Sequence, residues 1–108
     1  MRRLIEGSDD DPDQLREMVA LYLGESDDLV KKLGVAIQMG AAKEVERLAH
    51  KWHGSSASRG MIAIVPSLQE LEYMGRSGLL RGAEQSYADA SNQLSRIQQF
   101  LTGYLEEM

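Results

Sequence analysis

The residues best suited to chemistry lie in one stretch, residues 42–60, which reads AKEVERLAHKWHGSSASRG. It holds both histidines of the chain, His50 and His53. An ordinary imidazole titrates near pH 6.5, so at neutral pH most of it carries a free nitrogen lone pair. Such a nitrogen can act as a covalent nucleophile. Arg47 and Lys51 stand close to His50 in the chain, and a phosphoryl group placed there would find positive charge nearby. Other chemistries lack their parts. The chain has no cysteine, hence no thiolate nucleophile, disulfide or Cys-based zinc site. No Ser/His/Asp set, glycine-rich phosphate loop or close carboxylate dyad stands out, which disfavours an autonomous enzyme.

The stretch itself reads as one helix from about Ala42 to Ser58, with Gly60 as its stop. At about 100° per residue, Val45, Leu48, Trp52 and the Ser55-Ser56 pair share a face predicted to look into a core. Glu46, Arg47, His50, His53, Gly54 and Ala57 share the other, so His50 is predicted on the solvent side. A glycine in mid-helix costs up to about 1 kcal/mol relative to alanine. On the face of His50, Gly54 reads as clearance that lets another molecule approach the imidazole; the plainer alternative is a tolerated helix defect. Trp52 reads as core filling, and the serines as small residues that let helices approach. His50 and His53 at i, i+3, with Glu46 one turn before, also fit the Glu-x-x-His metal patterns of helical bundles. Those ligands point into a core, whereas these face out, and zinc needs a further strong ligand. The metal reading is the weaker one.

The whole chain frames this segment. It has 108 residues, 43% apolar and 27% charged, with a net charge of −5. That suits one domain with a single core and excludes a disordered chain. Acidity disfavours a nucleic-acid partner, which asks for a basic surface. Apolar runs such as Met61–Val65 are far too short to span a bilayer. Arg2 and Arg3 are followed by Gly7–Asp11 where a signal peptide needs its apolar stretch. The expectation is a cytoplasmic protein with neither membrane nor nucleic-acid partner. The charge is uneven: residues 1–28 hold nine acids against three bases, whereas residues 43–59 hold four bases against two acids. A basic, histidine-bearing segment in an acidic molecule suggests a local site.

β-Branched residues are scarce, and the apolar spacing is helical almost throughout. Asp11-Pro12 is a start signal, after which Leu15, Met18, Val19, Tyr22 and Leu23 form one stripe. Gly24 is expected to break that helix. Ser26, with Asp27 and Asp28 behind it, is expected to cap a second, whose stripe is Leu29, Leu33, Ala36 and Ile37 and whose stop is Gly40. Gly34 within it marks a close helix contact. After the His50 helix, Pro66 sits in the first turn of another, with Leu68, Leu71 and Met74 inward before Gly75. Gly78 and Gly82 bracket a loop. The last helix presents Ala83, Tyr87, Ala90, Leu94, Ile97, Leu101 and Tyr104, the inward seam of a bundle. Connections this short set neighbours antiparallel. The expected fold is all-α: an up-and-down antiparallel four-helix bundle with a short additional N-terminal helix, one domain over residues 1–108.

Two strings, AHKWHGSSASRGM at residues 49–61 and LQELEYMGRSG at residues 68–78, resemble the histidine-containing phosphotransfer (HPt) domain of two-component phosphorelays. Ala49-His50, apolar Trp52, Gly54, the small pair Ser55-Ser56 and Gly60 match the first part of the family pattern. Leu71-Glu72 and the turn Gly75-Arg76-Ser77-Gly78 match the second. His53 stands where the family usually has lysine, so phosphate support there is expected to depend on pH. Arg59 replaces an apolar or small residue and is expected to snorkel outward.

The resemblance implies that His50 is the phosphoacceptor, exchanging a phosphoryl group with the aspartate of a response-regulator receiver domain. His53 and Lys51 would support the phosphate, and Gly54 would give clearance to the partner. Glu72 would either take a hydrogen bond from the imidazole's other nitrogen, fixing its tautomer, or be a solvated acid. The implied partners are a receiver domain, a sensor histidine kinase or both. The Mg²⁺ sits in the receiver, and this chain carries no cofactor or metal. It would act as a monomeric phosphocarrier, not an enzyme. The alternative is a bundle of the same type that takes no phosphate and serves only as an interaction module.

Overall fold

The computed structural model describes residues 12–106; the Asp11 cap signal and the N-terminal arginines lie outside the described residues. Four helices occupy them: α1 (Pro12–Gln38), α2 (Ala42–Ser58), α3 (Val65–Ser77) and α4 (Ala83–Glu106). A 3₁₀ turn, Ile62–Ile64, leads into α3, and no strand occurs among the described residues. Each helix packs on the next, and α4 closes back on α1. That closed ring is a four-helix bundle of up-and-down order. The apolar stripes face its axis: Leu15, Leu33, Val45, Trp52, Leu68, Leu71 and Leu101 are all buried.

The expected break at Gly24 is absent. Residues 12–38 form one helix of 27 residues, roughly 40 Å at 1.5 Å per residue, so the separate N-terminal helix is the first part of α1. The reason is tertiary. Tyr22 and Ser26, on either side of Gly24, are both buried against α2. The Tyr22 hydroxyl lies 2.9 Å from Ser56 Oγ, and the Trp52 indole N–H donates to Ser26 Oγ at 3.0 Å. Two anchored neighbours outweigh about 1 kcal/mol of glycine propensity. Ser26 is therefore no cap. Asp27 and Asp28 pair with Lys31 and Lys32 one turn on, each at 3.0 Å, as i, i+4 partners within a helix.

Helix ends follow the glycines more closely. Gly60 has φ +78°, a left-handed conformation open to glycine at little cost. Its N–H donates to Ala57 O at 3.1 Å, and the Met61 N–H donates to Ser56 O at 2.9 Å, the paired closure of a Schellman motif. Gly75 does not stop α3, which runs on to Ser77 and ends at Gly78. Gly75 is instead where α3 meets α2. A Cβ there would lie 2.7 Å from the Ala42 carbonyl oxygen and closer still to the Glu46 amide nitrogen. Without one, the two backbones touch, and the residues one turn to either side are drawn together. Gly34 has the close contact expected of it, with Tyr87 of α4.

Candidate functional site

One turn beyond that contact on each helix stand His50 of α2 and Glu72 of α3. His50 Nδ1 lies 2.9 Å from Glu72 Oε2, and His53 Nδ1 lies 2.9 Å from Glu72 Oε1. One carboxylate thus holds two imidazoles. The side chain of Glu72 is 12% exposed, that of His53 26% and that of His50 75%. Burial pushes the Glu72 carboxyl up, but hydrogen bonds from His53 and His50, and their charge, outweigh it and hold the group below its usual range. The ionised carboxylate only accepts, so each ring must donate from Nδ1. A neutral ring so held keeps its proton on Nδ1 and leaves the Nε2 lone pair free.

Arg76 completes the cluster. Its Nε donates to Glu46 Oε2 at 3.0 Å and its Nη2 to Glu72 Oε2 at 3.4 Å. The guanidinium therefore lies on the edge of the Glu72 carboxylate that faces His50. A shallow hollow of about 320 Å³ opens beside His50, lined by Lys43, Glu46, Arg47, Glu72 and Arg76. A second, of about 200 Å³, opens on the His53 side between Gln69, Glu72, Tyr73 and Arg76. Gly54, one turn after His50, is exposed, and a Cβ there would meet nothing within 4 Å. Nothing among the described residues requires a glycine at that position. No group of three or more His, Asp or Glu that could hold a metal occurs among the described residues.

The Hpt-domain family model matches residues 17–103. The chain belongs to the Hpt domain family. Its fold agrees with a solved structure, histidine-containing phosphotransfer protein B (HptB) from Pseudomonas aeruginosa PAO1. The match has a TM-score of 0.91 at 20% identity and covers 99% of this chain and 93% of that one. A search of curated protein sequences returns no match. Family membership places this Hpt domain in the phosphotransfer branch of two-component signalling. No helix among its described residues is long and apolar enough to cross a membrane.

The structure brings His50, His53 and Glu72 of this Hpt domain into one cluster, with Gly54 beside them. Lys51 stands apart: it is exposed and makes no hydrogen bond or ion pair among the described residues. Arg47 is held by Glu44 through two hydrogen bonds, 2.7 and 2.8 Å, so its charge is already paired. Arg59 does not snorkel outward. Its guanidinium carbon lies 5.7 Å from the centre of the Tyr22 ring, and its Nη1 donates to Ser55 Oγ at 2.9 Å. Ser55 in turn donates to Glu25 of α1. In the sequence Arg76 shows only as part of a turn. Its signal was the i, i+4 spacing from Glu72, with a cation C-terminal to an acid.

Proposed function

We propose that His50 Nε2 is the phosphoacceptor of this domain, and that it exchanges a phosphoryl group with the aspartate of a receiver domain. The observation that carries this is the 2.9 Å contact between His50 Nδ1 and Glu72. It turns the one reactive lone pair outward on a ring that is 75% exposed. In the forward step the Nε2 lone pair attacks phosphorus, the bond to the aspartyl oxygen breaks, and aspartate leaves as a carboxylate. The ring keeps its Nδ1 proton, and the positive charge it gains lies against Glu72. Such transfer rests on positioning and charge neutralisation. The receiver would supply Mg²⁺, and this chain would need no cofactor of its own. It would be a carrier without autonomous catalysis, working as a cytoplasmic monomer with a receiver, a sensor kinase or both.

His53 would support the phosphoryl group only as an imidazolium. Neutral, with its Nδ1 proton on Glu72, it has no N–H to give to a phosphoryl oxygen. Lys51 would add a diffuse charge, and Gly54 would let the receiver come close. Incubation with a phosphorylated receiver domain tests the reading. Acid-labile, alkali-stable label should appear on the wild type and be lost in His50→Gln. Undiminished label in that variant would remove His50 from the role.

A further inference from the structure

Glu72 prepares two rings in the same way. His53 Nδ1 sits at the same 2.9 Å from it as His50 Nδ1, so a neutral His53 also carries a free Nε2 lone pair. What separates the two is access: 75% exposure for the His50 side chain against 26% for His53. The His53 ring is not sealed, because it borders the hollow of about 200 Å³ shared with Gln69, Glu72, Tyr73 and Arg76. That hollow is far too small for a protein surface and ample for a small phosphate compound. Arg76 is on its wall; with Nε on Glu46 and one Nη2 hydrogen on Glu72, its guanidinium keeps further N–H groups for an anionic donor.

We propose that His53 is a second phosphoryl acceptor, reached by small donors of the acyl-phosphate or phosphoramidate class and not by a receiver domain. With phosphoramidate in its zwitterionic form, whose nitrogen is an ammonium, the Nε2 lone pair attacks phosphorus as the bond from phosphorus to nitrogen breaks and ammonia leaves with that electron pair and its three hydrogens. The ring keeps its Nδ1 proton on Glu72, whose negative charge faces the positive charge the ring acquires. No other reactant is needed.

The chain has two histidines, so substitutions separate the sites cleanly. Potassium phosphoramidate is incubated with wild type, His50→Gln, His53→Gln and the double variant, and phosphoryl groups are counted by intact mass. His50→Gln should gain one acid-labile, alkali-stable group that fragmentation places on His53, and the double variant should gain none. With circular dichroism showing native helix content, failure of His50→Gln to gain a group would overturn the proposal. So would label that persists in the double variant. A phosphorylated receiver should leave His50→Gln unlabelled; label at His53 from a receiver would overturn the restriction to small donors. The carrier role is read separately, from transfer between a phosphorylated receiver and the wild type, and its failure would leave the phosphoramidate result at His53 untouched.

Discussion

The two faces of α2 carry polar groups of similar kinds and use them in opposite ways. On the inward face the Trp52 indole N–H is taken up by Ser26, and Ser56 is paired with Tyr22. Trp52, Ser26 and Ser56 are fully buried and Tyr22 nearly so. On the outward face His50 and His53 each commit one ring nitrogen to Glu72 and leave the other open. A closed pair in a core satisfies buried groups and fixes register. A half-closed pair at the surface fixes orientation and keeps a reactive valence. The glycines differ in the same sense. Gly75 is demanded by the backbone of α2, whereas Gly54 is demanded by nothing among the described residues.

The comparison is broken most severely from the inside. Trp52→Ala should lower stability by about 3–5 kcal/mol in chemical denaturation, through the cavity and the stranded Ser26 hydroxyl. The histidines of the fraction that stays folded should remain competent for phosphate. A smaller effect is expected at the helix contact. Gly75→Ala forces a methyl group into the α2 backbone and should cost about 1–3 kcal/mol. Because the same contact draws Glu72 to His50, phosphotransfer should fall with it. A Gly75→Ala protein with unchanged melting and transfer would disconnect the packing from the site.

On the outside, Glu72→Gln should leave the fold intact and lower the transfer rate by about 10- to 100-fold, by analogy with removal of the hydrogen-bond partners of metal-ligating histidines. An amide has one oxygen to accept and one NH₂ that only donates. Each ring meets a different oxygen of Glu72, so the amide turns its NH₂ toward one ring and favours there the tautomer that blocks Nε2. The pH dependence of stability has a definite sign. The Glu72 carboxyl lies below its ordinary value of 4.5 in the folded state. Its stabilisation is therefore full above that value and lost as pH falls through the folded one. Glu72→Gln should flatten that part of the acid limb. The mildest change is Gly54→Ala, expected to raise stability by up to about 1 kcal/mol and still slow exchange with a receiver. Equal transfer rates would return Gly54 to the status of a helix defect.

The amino-acid pattern contained a good deal of this. The exposure of His50 and Gly54 and the burial of Val45, Leu48 and Trp52 follow from register along α2. The stops at Gly40 and Gly60 follow from which residue tolerates a left-handed turn. Ser26 misled because its local signature is that of a cap, while its actual partner, Trp52, lies 26 residues away. Gly24 misled for the same reason, since the contacts that carry the helix through it are on α2. The basic surround expected of residues 43–59 was also altered by neighbours. Glu44 takes up Arg47, and Tyr22 and Ser55 hold Arg59.

What the sequence determined by itself was periodic and local: the amphipathic faces, most of the glycine ends, and a histidine aimed at solvent. These depend on an angle of about 100° per residue and on backbone freedom within a single turn. Only the tertiary structure decided that Glu72, 22 residues from His50, would hold both imidazoles and that Arg76 would sit against it. That arrangement depends on how closely two helices approach, which is set where Gly75 meets the backbone of Glu46. No repeat along one helix contains that distance.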